Sequence, residues 1–177
     1  KFFVYLHSQN GSGVSPFWLK NIFWVLDGLP VDYTLYEHQP VFTCEEAGKA
    51  CAHIPGRHNK NLFLKGKSGK FYLATIPAEK RADLKWLAGV VGEKDLRFAG
   101  HDDLKIYLGV TPGAVTPLGL ISDASKLVHY LIDRELWDES QFSFHPDSND
   151  ATLLIGKPDF ERFLTAIGHP PRVIEFL

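Results

Sequence analysis

The chain has 177 residues, enough for one domain, and its 45% hydrophobic content with 13% aromatic residues is enough for a folded core. This composition excludes general disorder, and the formal net charge of -2 gives no global sign of nucleic-acid binding. The apolar run at residues 2–6 is far too short to cross a bilayer, so we expect no membrane partner. The two cysteines, Cys44 and Cys51, together with the lack of a signal peptide, favour a reducing cytosol and predict a cytoplasmic protein.

The sequence contains no methionine, even at position 1. We therefore expect residues 1–13 to be an N-terminal extension of uncertain origin and residues 14–177 to form the domain. Ser15 and Pro16 predict a helix start, because serine caps the free N–H groups and proline suits the first helical position. Gly28 ends that helix, and Thr43 with Glu46 forms a capping box for the next one.

Periodicity and turn residues place the other elements. The predicted helices are residues 17–27, 43–52, 77–91, 102–108 and 158–167. The predicted strands are residues 31–37, 61–65, 70–75, 96–99, 118–122, 127–133, 141–144, 151–155 and 172–176. The turn at 66–69 makes a hairpin of two of them, and strands 118–122 and 127–133 look paired. Hairpins mixed with crossovers predict the α/β (mixed α+β) class, a mixed sheet with helices packed outside. No Gly-x-Gly-x-x-Gly and no Walker loop is present, which disfavours dinucleotide and P-loop folds.

Residues 58–65, with the sequence His-Asn-Lys-Asn-Leu-Phe-Leu-Lys, are the most informative segment. The apolar half predicts a buried strand, and Asn59, Lys60 and Asn61 are polar residues at its mouth. An ammonium group with amide neighbours suits recognition of a phosphate or polarisation of an ester carbonyl. The alternative is a surface lysine before an ordinary strand.

Residues 57–70 form a local basic strip with no acidic residue, made of Arg57, Lys60, Lys65, Lys67 and Lys70. This window carries +5, so the rest of the chain carries -7 to give the net -2. Such a strip on an acidic body fits binding of a polyanion at one place. A solvated hairpin with lysines on its edge fits the pattern equally well.

The loop at residues 109–119 is rich in turn formers, with Gly109, Pro112, Gly113 and Pro117 within nine residues. Glycine lets backbone approach a ligand and proline fixes the neighbouring dihedral angles. The loop can therefore present a rigid array of N–H and C=O groups to a ribose hydroxyl, a water or an oxyanion. A plain helix-to-strand connection is the simpler interpretation.

His145 follows a predicted strand, where an imidazole can donate to or accept from a ligand near neutral pH. A single histidine in a turn is more often structural. Cys51, His53 and His58 lack a fourth ligand at zinc-site spacing, so we predict no metal. No Gly-x-Ser-x-Gly elbow is present, which disfavours a serine hydrolase.

Taken together, these segments resemble the YbaK and prolyl-tRNA synthetase associated domain family, and within it the freestanding ProX-type deacylases. The matching segments are residues 37–43, 58–65, 108–117, 144–146 and 149–152. They arrive in the family's order, and the resemblance covers residues 16–177. Residues 1–13 have no counterpart, and Asn59 stands where the family pattern leads us to expect threonine.

The resemblance implies a compact α/β domain with a mixed, barrel-like sheet that hydrolyses the ester of mischarged aminoacyl-tRNA without a cofactor. For the ProX-type branch, the implied substrate is alanine attached to proline tRNA. By the same resemblance, the catalytic residues are Lys60, Gly113 and His145. The implied substrate-binding residues are Asn61, Thr116 and Pro117, and the basic strip adds Arg57 as a substrate-binding candidate that would meet tRNA phosphates.

The implied partners are the acceptor end of aminoacyl-tRNA and, as a further candidate, prolyl-tRNA synthetase. Two other functions stay open at this point. One is a cysteinyl-tRNA(Pro) deacylase of the YbaK type, and the other is a non-catalytic tRNA-binding module.

Overall fold

The structure, a computed structural model, describes residues 4–7, 20–40, 53–146, 148 and 150–176. The predicted helix 43–52, with its capping box and both cysteines, lies outside these ranges, as does the first part of the predicted helix 17–27. None of the helices in the described ranges combines the length and the apolar composition that a bilayer crossing needs.

Nine strands and five α-helices occur in the described ranges. The strands are β1 Val4–His7, β2 Tyr33–Glu37, β3 Asn59–Gly66, β4 Phe71–Pro77, β5 Leu96–Phe98, β6 Val128–Asp133, β7 Gln141–Phe144, β8 Ala151–Gly156 and β9 Arg172–Ile174. The helices are α1 Lys20–Asp27, α2 Leu84–Val91, α3 His101–Tyr107, α4 Arg134–Trp137 and α5 Lys157–Ala166, with a 3₁₀ helix at Pro117–Ser122.

The described strands form two sheets. The first sheet has the order β1-β2-β8-β7 and is antiparallel throughout. The second has the order β5-β3-β4-β6-β9, with β3 antiparallel to both β4 and β5, and with β6 parallel to both β4 and β9. The mixed α+β class is therefore confirmed, although the strands are divided between two sheets and do not close into a barrel.

The second sheet is covered on both faces, and β4 is buried along its whole length. An inner core fills the space between the two sheets and includes Phe63, Leu73, Phe144 and Leu153. A smaller outer core lies on the other face, under α2 and the C-terminal segment, and includes Leu64, Ala74, Leu87 and Phe176. Successive side chains of a strand point to opposite faces, so β3 and β4 contribute alternately to the two cores.

The predicted strand at 118–122 is wrong, because this segment forms the 3₁₀ helix. Pro117 occupies its start, and Thr116 caps it by accepting a hydrogen bond from the N–H of Leu118. Gly119 packs closely, since a Cβ there would lie 2.7 Å from the carbonyl oxygen of Leu108. The predicted pairing of this segment with the strand at 127–133 is consequently wrong as well.

The predicted helix 77–91 is too long at its N-terminal end. Pro77 still belongs to β4, and the helix begins only at Leu84. Asp83 sets that start, because its carboxylate accepts hydrogen bonds from the N–H groups of Lys85 and Trp86. The hairpin of β3 and β4 across residues 66–69 is confirmed.

Candidate functional site

A chain of side-chain hydrogen bonds fixes the glycine and proline loop to the mouth of β3. Tyr130 donates its hydroxyl to Thr75 Oγ1 at 3.2 Å, and Thr75 donates to Asn61 Oδ1 at 2.7 Å. Asn61 Nδ2 then donates to the carbonyl of Val115 at 3.0 Å. Thr75 and Tyr130 are buried, so these bonds are shielded from water and hold the loop at a defined distance from the strand.

The loop presents open backbone at Gly113. Its φ is +91°, in the left-handed region that glycine adopts without strain, and a Cβ at this position would meet no heavy atom within 4 Å. A turn closes the loop, because the N–H of Ala114 donates to the carbonyl of Thr111 at 3.1 Å. Ala114 itself is buried, so the loop is anchored directly beside its open position. The arrangement leaves room for a ligand against rigid backbone.

His145 lies directly after β7 in a small polar cluster. Its Nδ1 donates to the carbonyl of Ala151 at 2.9 Å, because a carbonyl oxygen only accepts. The ring packs edge-on against His38, with 5.9 Å between the ring centroids. His38 in turn lies with Nε2 3.0 Å from Thr152 Oγ1.

Burial lowers the pKa of His145 below its ordinary value of 6.5, and the neighbouring His38 lowers it further. The hydrogen bond to Ala151 raises this pKa but only partly offsets the two lowering effects. The neutral ring with hydrogen on Nδ1 has its acceptor lone pair on Nε2.

Asn59 connects β3 to the strand that carries His145. Its Nδ2 donates to the carbonyl of Ser143 in β7 at 2.9 Å. Asn59 and Asn61 are two residues apart in β3 and share a face of that strand. The mouth of β3 therefore meets the Gly113 loop through one amide and β7 through the other.

Lys60 lies between these two amides on the opposite face of β3. It pairs with Ile76, whose side chain belongs to the outer core, whereas Asn61 pairs with Thr75. Lys60 Nζ donates to the carbonyl of Ala78 at 2.9 Å. The structure thus places the Lys60 backbone beside the loop contact and its ammonium group at the end of the hairpin.

These residues lie within a segment that matches a known family. The family model described as "Aminoacyl-tRNA editing domain" matches residues 38–163, which include Lys60, Gly113 and His145. The chain belongs to the aminoacyl-tRNA editing domain family. This confirms the predicted family and the predicted enzyme class, a hydrolase that acts on the ester bond of aminoacyl-tRNA.

Two curated relatives and one solved structure resemble this editing domain over most of their length. "Prolyl-tRNA editing protein ProX" of Acetoanaerobium sticklandii is 37% identical over 151 residues, covering 85% of this chain and 92% of that protein. "Prolyl-tRNA synthetase associated domain-containing protein 1" of Danio rerio is 35% identical over 169 residues, with 94% and 92% covered. A solved structure of a candidate trans-editing enzyme for prolyl tRNA synthetase has a TM-score of 0.68 at 20% identity, covering 93% of this chain and 98% of that one. At that identity the structural likeness supports the fold alone.

The guanidinium of Arg57 in the editing domain is already paired with carboxylates. Its guanidinium pairs with Glu79 at 2.5 Å and with Glu135 at 2.8 Å, and these hydrogen bonds raise its pKa. Lys80 joins the same group by pairing with Glu135 and with the buried Asp133. Substrate binding by Arg57 stays a prediction, and the structure favours a role in holding this ion-pair network.

Thr116 and Pro117 are buried in the editing domain. Thr116 is fully inaccessible, and its hydroxyl serves as the cap of the 3₁₀ helix, accepting the N–H of Leu118 at 3.4 Å. Substrate binding by these two residues stays a prediction as well. Their observed role is to support the loop from its buried side, while Gly113 is exposed.

Sequence reasoning missed Thr75 on β4, which contacts Asn61, and Tyr130 on β6, which contacts Thr75. The predicted hairpin was the signal for Thr75, because the observed pairing of β3 with β4 places Thr75 opposite Asn61. Tyr130 belongs to β6, which pairs with β4 only in the folded chain. Within the described ranges, no group of three or more His, Cys, Asp or Glu side chains is arranged to hold a metal ion.

Proposed function

We propose that this editing domain acts in trans on alanyl-tRNA(Pro) and hydrolyses the ester between alanine and the terminal adenosine. The observation that carries the proposal is the hydrogen-bonded chain from Tyr130 to Val115, which fixes an open glycine loop at the mouth of β3 inside the family match. The relative named for prolyl-tRNA editing supports proline tRNA as the carrier. Prolyl-tRNA synthetase is then the enzyme that supplies the substrate, and we propose that both work in the cytoplasm.

Chemically, the reaction requires positioning more than a covalent nucleophile, because an aminoacyl ester is already activated. The site must hold the ester, a water and the developing oxyanion in register. The exposed backbone at Gly113 would contact the terminal ribose and help to place the water. One correctly placed donor to an oxyanion contributes on the order of 10²–10³ in rate, which a loop N–H group can supply.

Lys60 and His145 would supply the remaining contacts, one to the substrate and one to the attacking water. The Lys60 ammonium would anchor the terminal phosphate or the ester of the bound tRNA, exchanging its hydrogen bond to Ala78 for one to the ligand. Burial keeps His145 neutral near pH 7, so its Nε2 would accept a proton or a hydrogen bond from the attacking water.

Selectivity for alanine would come from size. A synthetase pocket built for proline cannot strongly reject a smaller side chain by binding alone, so it attaches alanine by mistake. A second pocket that is too small for proline would then hydrolyse the error and spare the correct product.

The test is a deacylation panel with alanyl-, cysteinyl- and prolyl-tRNA(Pro). We expect wild-type protein to hydrolyse the alanyl ester, to spare the prolyl ester, and to lose most of its activity in Lys60→Ala. Lys105→Ala, which removes an exposed lysine from α3, is the matched control and should retain activity. Hydrolysis of the cysteinyl ester alone would instead identify a YbaK-type enzyme. Binding of tRNA without any hydrolysis would identify a non-catalytic module.

A further inference from the structure

A cavity of about 280 Å³ lies on the second sheet, away from the mouth of β3. It forms at the beginning of β4 and β6 and continues to the segment after α5. Its polar lining side chains include Lys70, Lys126, Arg172, His129, His169 and Tyr72. Three of these are permanent cations, and none of the described residues that line the cavity is Asp or Glu.

Two carboxylates that contact lining residues of the cavity already have donors. Glu93 accepts from the hydroxyl and the N–H of Ser68, which lowers its pKa, and also from the hydroxyl of Tyr72 at 3.1 Å. Asp123 accepts from the N–H of Val128 at 2.7 Å and lies 3.7 Å from His169 Nε2. Both carboxylates are paired with donors, and the three cations that line the cavity outnumber them, so the cavity keeps a positive potential.

Arg172 and Lys126 are held at the cavity by the fold. Arg172 uses one N–H group to bond the carbonyl of Val90 at 2.9 Å, which fixes a guanidinium with five N–H donors in place. Lys126 adopts a positive φ of 56°, and its side chain packs along Gly168. Arg172, Lys126 and Lys70 come from different parts of the chain and are all exposed at the cavity, which makes a site that suits a phosphate group.

The cavity lies on the same face of the sheet as Lys60. Tyr72 lines the cavity and Ile76 lies opposite Lys60, and both belong to the outer core. The two are four residues apart in β4, which corresponds to about 13 Å. A nucleic-acid strand, with one phosphate per nucleotide, covers that distance easily.

We propose that this cavity is a second phosphate-binding site, distinct from the editing site, and that it takes a backbone phosphate of the tRNA whose acceptor end lies at the mouth of β3. The tRNA source rests on the proposed function. The phosphate chemistry does not, and a free nucleotide would be recognised by the same side chains.

The experiment compares two triple variants with equal loss of charge. The cavity variant is Lys70→Ala with Lys126→Ala and Arg172→Ala, and the control variant is Lys85→Ala with Lys105→Ala and Arg97→Ala, three exposed positions elsewhere. Affinity for uncharged tRNA(Pro) is measured against salt concentration, and AMP and inorganic phosphate are titrated separately. A urea midpoint for each variant checks folding.

We expect the cavity variant to bind tRNA about tenfold more weakly than the control at about 0.1 M salt, and its log–log salt slope to fall by about one relative to wild type, because the cavity takes one phosphate. Loss of AMP or phosphate binding with an unchanged tRNA slope would support the site and identify a free ligand as its source. Cavity and control variants that agree in every titration would overturn the inference.

Two further measurements keep the result independent of variant folding and of the proposed function. In wild-type protein, tRNA or AMP should shift the imidazole resonances of His129 and His169, and the lack of any shift with either ligand would overturn the site. Single-turnover deacylation at saturating alanyl-tRNA(Pro) should be within about threefold of wild type in the cavity variant. A wild type that binds phosphate but does not hydrolyse the ester would remove the proposed function and leave the site standing.

Discussion

Replacing Thr75 by valine tests the hydrogen-bonded chain that holds the Gly113 loop. Valine has nearly the shape of threonine, so the change removes the hydroxyl and leaves the packing in β4 intact. Asn61 Oδ1 loses its donor at 2.7 Å, and the Tyr130 hydroxyl loses its acceptor at 3.2 Å. The Asn61 amide is then free to rotate, and its bond to the Val115 carbonyl weakens.

The cost in stability follows from burial. Burial raises the pKa of Tyr130, so its hydroxyl stays protonated and needs an acceptor, whereas Asn61 is only half-buried and can bond water. One buried hydroxyl left without a partner costs about 1–3 kcal/mol. We therefore expect Thr75→Val to lose about 1–3 kcal/mol, or about 2–4 °C in Tm for each kcal/mol. Adding Tyr130→Phe should recover most of this loss, because both partners are then apolar.

The effect on catalysis separates this role from mere packing. A displacement of about 1 Å at a catalytic group lowers the rate on the order of 10²-fold, so Thr75→Val should reduce kcat/KM by about 10–100-fold. Thr75→Ser keeps the hydroxyl and loses one methyl group, which costs about 1 kcal/mol in stability. It should keep activity within about threefold of wild type. Equal single-turnover rates for the valine and serine variants would refute the reasoning.

The remaining predictions concern the loop, the histidine and the ion pair. Gly113→Ala should lower the free energy of unfolding by about 1–2 kcal/mol, because of backbone strain at φ +91°, and should lower kcat by about tenfold or more. Gly69→Ala is the control, because Gly69 has φ +93° and equally open space. It should lose the same stability and keep its activity. Deacylation rate measured against pH should have an acidic limb with an apparent pKa below 6.5, because burial keeps His145 neutral down to that range, and His145→Gln should remove the limb. The free energy of unfolding should also decline as pH falls below about 6.5 towards the lowered pKa of His145, because the unfolded chain then binds a proton that the folded chain does not. An equal decline in His145→Gln would contradict this. Arg57→Gln should change the free energy of unfolding by less than about 1 kcal/mol. It should leave the salt slope of tRNA binding unchanged, since the guanidinium is already paired with Glu79. A slope lower by about one would show that Arg57 contacts phosphate.

Local chemistry made the β3–β4 hairpin predictable. Gly66 and Gly69 bracket a turn between two apolar runs, and Gly69 adopts the positive φ that such a turn needs. The prediction of a strand at 118–122 was wrong because the local pattern there is ambiguous. A short apolar run has no periodicity that separates strand from helix, and Pro117 with the Thr116 cap settled the segment as a 3₁₀ helix.

The site was predictable where its parts are close in sequence, and only there. Lys60 and Asn61 were found together, but the predicted strand began at Asn61, whereas β3 begins at Asn59 and therefore points Lys60 and Asn61 to opposite faces. The support from Tyr130 depends on a parallel pairing of β4 with β6, more than fifty residues later in the chain. Such long-range register is set by packing of the two cores, which no local pattern encodes.

The central claim, that this editing domain removes alanine from proline tRNA through a loop fixed at the mouth of β3, is tested most directly by single-turnover hydrolysis of alanyl-tRNA(Pro). We predict rapid hydrolysis by wild type, with prolyl-tRNA(Pro) spared and with an about 10–100-fold lower rate in Thr75→Val, because the loop is then misplaced. An alanyl ester that persists at high enzyme concentration would contradict it.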